Sequence, residues 1–76
     1  MGESSMRIKG HQFEKARKAI GWSRRTMSDR VGVTYGTVKL WEYRKPDEPV
    51  PQYAQNILKT IAEEEGVDLE FIILGP

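Results

Sequence analysis

Apolar positions recur at helical spacing in successive short segments, and glycine or proline stands at most of the breaks between them. Phe13, Ala16 and Ile20 fall at i, i+3 and i+7, which predicts a helix from Gly10 or His11 to Gly21 with one buried stripe. Met27 and Val31 are an i, i+4 pair, and Val38 and Trp41 an i, i+3 pair, so two further helices each turn one side inward. Ser23 is placed to cap the first of these and Thr34 the second, their hydroxyls accepting from free first-turn amides. Gly32 ends the earlier helix because it takes positive φ without a Cβ clash. Tyr53, Ala54, Ile57, Leu58, Ile61 and Ala62 define an amphipathic helix to about Glu65, with Pro51 suited to its first position and Gly66 to its stop. Asp68 then caps a last short helix, Leu69 to Leu74. Five short helices and an all-α domain are the expectation.

The segments around Gly32 form a recognisable unit. A helix, a glycine-containing turn and a second helix make a helix-turn-helix arrangement. With Val38 and Trp41 inward, the second helix of that unit presents Gly36, Lys39, Leu40 and Tyr43 outward, flanked by Tyr35 and Thr37. This face has hydroxyls, a lysine and a leucine but no carboxylate, and it suits a surface pressed against phosphates and base edges. Ser28 is the small residue expected where the two helices cross. Between Arg44 and Pro51 three prolines in six residues exclude a helix interior, so this stretch is a stiff connector.

Charge sharpens the picture. The net charge is +1, but residues 1–45 hold eleven Lys/Arg against four acids and residues 46–76 hold one against seven, or +7 against −6. Such an asymmetry points to a nucleic-acid surface on one side of the fold. The chain has no cysteine and a single histidine, His11, expected in a solvated first turn. Disulfides, a thiolate or His-pair metal site and a Ser-His-Asp triad are excluded, and no cofactor is expected. No paired catalytic carboxylates or phosphate loop stand out, so the chain is not expected to be an enzyme. No apolar run approaches the ~20 residues of a membrane span, and the first residues lack a signal peptide's apolar core. A cytoplasmic protein is the expectation. Residues 1–9 are polar and aperiodic and read as a flexible arm, leaving 10–76 as the domain.

In order along the chain stand Phe13-x-x-x-Arg17-x-x-x-Gly21-Trp22-Ser23, Met27-Ser28-x-x-Val31-Gly32-Val33-Thr34, Val38-x-x-Trp41-Glu42, a proline-containing linker, and Gly66-Val67-Asp68-Leu69. Over roughly Gly10 to Gly75 this resembles the Cro and phage-repressor (Xre-type) helix-turn-helix family. The resemblance implies a compact, lambda-repressor-like bundle of five helices. It also implies sequence-specific binding to double-stranded DNA by a dimer that regulates transcription from a palindromic operator. It assigns base reading to Thr34, Tyr35, Gly36, Thr37, Lys39 and Leu40, and phosphate binding to Arg24, Arg25, Lys39, Tyr43, Arg44 and Lys45. It brings Arg17 and Glu42 together as a structural ion pair. The chain departs from the family at Arg24, commonly glutamine, at Ser28, commonly alanine, and at Arg44, commonly glycine. Its linker reads about one residue longer, and Gly36 falls where a polar base-reading side chain is common.

The last segment adds a partner surface. Phe71, Ile72, Ile73 and Leu74 are consecutive apolar residues, and a helix spreads four such side chains around its circumference. Phe71 or Leu74 is therefore expected to face a second copy in a homodimer. A second function class stays open: an antitoxin or other interaction module, whose acidic, apolar C-terminal half binds a partner protein such as a toxin.

Overall fold

The computed structural model describes residues 7–74. Its helices are α1 (Gly10–Ile20), α2 (Arg24–Val31), α3 (Tyr35–Lys39), α4 (Gln52–Glu65) and α5 (Leu69–Leu74), and α3 runs without a break into a π-helical turn, Leu40–Arg44. Among the described residues there is no strand, only an isolated antiparallel bridge between Lys9 and Pro49. The all-α bundle of five helices expected from the periodicity is what forms.

The helix ends lie where the capping chemistry puts them. Ser23 Oγ accepts from the Thr26 amide at 3.1 Å and Thr34 Oγ1 from the Thr37 amide at 3.2 Å. Asp68 Oδ1 accepts from the Phe71 amide at 3.0 Å. Gly21, Gly32 and Gly66 all close their helices in the left-handed conformation. Pro51 is the one boundary that differs: at φ −57°, ψ 151° it is the residue before the first turn of α4, not inside it.

The core is a single cluster centred on Phe13, Ala16, Met27, Val38, Trp41, Leu58 and Ile61. Phe13 and Trp41 meet edge to face, ring centroids 5.6 Å apart, which locks α1 against the π-helical turn that follows α3. Helices α2 and α3 pack together, and Ser28, expected where they cross, is buried and donates its hydroxyl to the Arg25 carbonyl at 2.7 Å. Helix α4 packs against α1 and α2, and α5 packs against α1.

Of the flexible arm expected over residues 1–9, Ile8 and Lys9 are part of the fold. Residues 1–6 lie outside the described residues, but Ile8 is fully buried and its carbonyl accepts from the Val50 amide at 2.9 Å. Ile8 and Val50 lie in polar and proline-rich stretches, yet both join the buried core cluster. The connector continues this clasp. Its Glu48 and Pro46 carbonyls accept from the Gly10 and His11 amides, each at 3.0 Å. Two of the four orphan amides that open α1 are thereby satisfied from across the fold.

Candidate functional site

The outer side of α3 and its π turn carries the residues singled out from the sequence. Tyr35, Gly36, Lys39, Leu40, Tyr43 and Arg44 are exposed and Thr37 is half-buried, while Val38 and Trp41 are buried. The segment Tyr35–Arg44 has a single acid, Glu42, and its side chain is 0% exposed. That side chain is turned inward, and the outward surface is left without negative charge.

Glu42 is held by two arginines. Arg17 donates from Nε to Oε2 at 2.9 Å and from Nη2 to Oε1 at 3.0 Å, the bidentate fork that suits a carboxylate. Its remaining nitrogen, Nη1, donates to the Trp22 carbonyl at 2.7 Å. The ion pair expected between Arg17 and Glu42 is present and buried. Arg24 adds a second partner that the sequence reading missed: its Nε donates to Glu42 Oε1 at 2.9 Å and its Nη2 lies 3.4 Å from Glu14 Oε2. Lys18 lies 3.5 Å from the same Glu14 oxygen. No buried side-chain polar atom among the described residues lacks a partner. The hydrogen bond to Glu42 raises the Arg24 guanidinium above its ordinary value against the opposing effect of burial, so it stays charged. The family resemblance places Arg24 among the phosphate-binding residues, facing outward. Arg24 is tied down instead, because Glu42 has carboxylate lone pairs to spare after binding Arg17.

Around this network lies a broad hollow lined by Glu14, Arg17, Lys18, Ser23, Arg24, Arg25 and Tyr35. The Arg25 guanidinium sits 5.7 Å from the centroid of the Tyr35 ring, joining the N-terminal ends of α2 and α3. A second hollow on the outer face of α3 is lined by Gly36, Lys39, Leu40, Tyr43 and Arg44. Lys45 stands apart from these, in a hollow shared with Glu48 and the connector prolines. Thr34 is engaged locally: its hydroxyl caps α3 and lies 2.9 Å from the Thr37 hydroxyl. Phe71 and Leu74 lie on α5, 68% and 65% exposed, while Leu69 and Ile73 of the same helix are buried.

Among the described residues no cluster of three metal-ligating side chains occurs. No helix there is long and apolar enough to cross a membrane. No family model, curated protein or solved structure matches this chain.

Proposed function

We propose that the chain binds double-stranded DNA sequence-specifically, laying the outer face of α3 in the major groove, and regulates transcription as a homodimer on a palindromic operator. One observation carries this reading. The only carboxylate between Tyr35 and Arg44 is buried and neutralised by Arg17 and Arg24, while lysine, arginine, hydroxyl and aromatic side chains face out. A solvated helix face has no need of that segregation, whereas a polyanion does. Phosphate contacts come from Arg25, Lys39, Tyr43, Arg44 and Lys45, with Arg24 at the edge of its network. Tyr35, Thr37, Lys39 and Leu40 read base edges, with Thr34 beside them and Gly36 allowing close approach.

Selection of bound sites from random duplex DNA tests the reading, with a preferred site expected over competitor. Arg44→Ala should weaken binding to every sequence and make the salt dependence shallower by about one unit, since log K falls by about 0.9 per neutralised phosphate. Tyr35→Ala or Thr37→Ala should instead change which sequence is preferred. An Arg44→Ala protein with altered preference and an unchanged salt slope would contradict this division of roles.

Phe71 and Leu74 are three apart on one helix and share a side, which fits an isologous contact. A two-fold dimer presents two recognition helices about 34 Å apart to a palindromic site. Phe71→Glu and Leu74→Glu are each expected to halve the mass measured by light scattering. A wild-type chain that remains monomeric at high micromolar concentration would remove the dimer. The same exposed pair supports a second reading, a module that docks a partner protein, as an antitoxin does. That reading takes over if no duplex competes better than bulk DNA and a second protein copurifies.

A further inference from the structure

Gly36 is a glycine that the fold does not require. It is not among the glycines with positive φ. A Cβ built on it would meet nothing closer than the Thr34 hydroxyl at 3.9 Å, so no neighbouring element needs the space. Yet it sits in the first turn and a half of an exposed helix, where glycine is less favourable than alanine. Gly36, with no side chain, lines a hollow together with Lys39, Leu40, Tyr43 and Arg44. The lining combines apolar surface from Leu40 and Tyr43 with two cations, and includes no acid.

Resting on the DNA-binding reading above, we infer that this notch receives the C5-methyl group of one thymine, making Gly36 a specificity-determining residue for a T·A pair. The chemistry narrows the occupant. A cationic rim selects an anionic partner, and the major groove of DNA offers a single apolar group, the thymine methyl. The hollow accommodates it because a Cβ is absent, Leu40 supplies the apolar wall, and Lys39 and Arg44 stand beside it for the flanking acceptors and phosphates. Alanine in place of Gly36 puts a protein methyl where the base methyl goes.

The test pairs a protein methyl with a DNA methyl. On the selected site, each thymine is replaced in turn by deoxyuridine, and binding is measured for the wild type and Gly36→Ala. One position should lose about fourfold in wild-type affinity, the worth of one buried methyl-sized group. Gly36→Ala should bind the thymine site about tenfold less tightly and show no preference for thymine over deoxyuridine at that position. Its melting temperature should rise by about 2–8 °C, because the helix gains alanine and nothing clashes. A lowered melting temperature would mean that the fold itself needs the glycine, and the inference would fail. Sequence-specific binding whose deoxyuridine response is the same in both proteins would also overturn it while leaving the DNA-binding reading intact. Failure of the wild type to prefer any duplex would remove that reading and the notch with it.

Discussion

Arg17→Met is expected to destabilise the folded chain by about 3 kcal/mol in urea unfolding, the lower part of the range for a buried ion pair that loses one partner. Glu42 is fully buried and would keep only the single hydrogen bond from Arg24 Nε at 2.9 Å, with one oxygen left bare. Removing Arg17 also strips the Trp22 carbonyl of its 2.7 Å donor, which loosens the turn between α1 and α2. Replacing both charges at once should be milder than either alone. Arg17→Met with Glu42→Leu leaves no uncompensated buried carboxylate, and well-packed apolar substitutes for buried pairs are often neutral or better. Lys15, exposed on the same helix, provides the comparison: Lys15→Met should stay within about 0.5 kcal/mol. An Arg17→Met protein in that same range would mean that the pair does not carry its burial in solution.

Gly10→Ala is expected to cost about 3 kcal/mol or more, although alanine favours a helix by about 0.5–1 kcal/mol. A Cβ at Gly10 would overlap the Trp41 carbonyl oxygen and come within 2.8 Å of that of Lys45. Both are backbone atoms of the π turn and its end, so no side-chain rotation relieves the clash. Either α1 moves off Trp41, breaking the 5.6 Å ring contact with Phe13, or the hydrogen bonds from the Gly10 and His11 amides to the connector open. The midpoint of chemical denaturation measures this, and a shift as small as that of Lys15→Met would show that the approach is looser than 2.8 Å. Gly10→Ala and Gly36→Ala thus have opposite signs on stability. The difference lies wholly in what stands opposite the new methyl.

Why these two glycines look alike in the sequence, and differ so much in the fold, marks the limit of what the residues alone reveal. Helix positions were legible because their signals are local: Ser23, Thr34 and Asp68 at N-caps, Gly21, Gly32 and Gly66 at the stops, and one apolar stripe per helix. The outward face of α3 was legible for the same reason, since Val38 and Trp41 set its phase. The burial of Ile8 was not, because it depends on Val50, distant in sequence, and an isolated isoleucine in a polar stretch carries no period. The meeting of Arg17 with Glu42 came from family resemblance and not from spacing, as the two lie 25 residues apart. Arg24 was missed as the second partner because a long side chain reaches across elements, and its position at the start of α2 fits a free phosphate contact equally well. Glu14, three residues before Arg17 on the same helix face, was the available hint that this cluster needed more positive charge.

The π turn after Lys39 has a consequence for how this chain is compared with others. Its Lys45 amide bonds the Leu40 carbonyl five residues back, at 2.9 Å, so this turn holds one residue more than an α turn of the same bond pattern. The extra residue of the turn is accommodated within the helix, while Trp41 and Glu42 stay buried. A residue-by-residue alignment to a relative with a straight helix should open its one-position gap between Leu40 and Arg44, not among the prolines. Placed in the connector, the gap would match Tyr43 and Arg44 to the wrong counterparts, and substitutions borrowed from the relative would be made one residue out of phase on the exposed side of this segment.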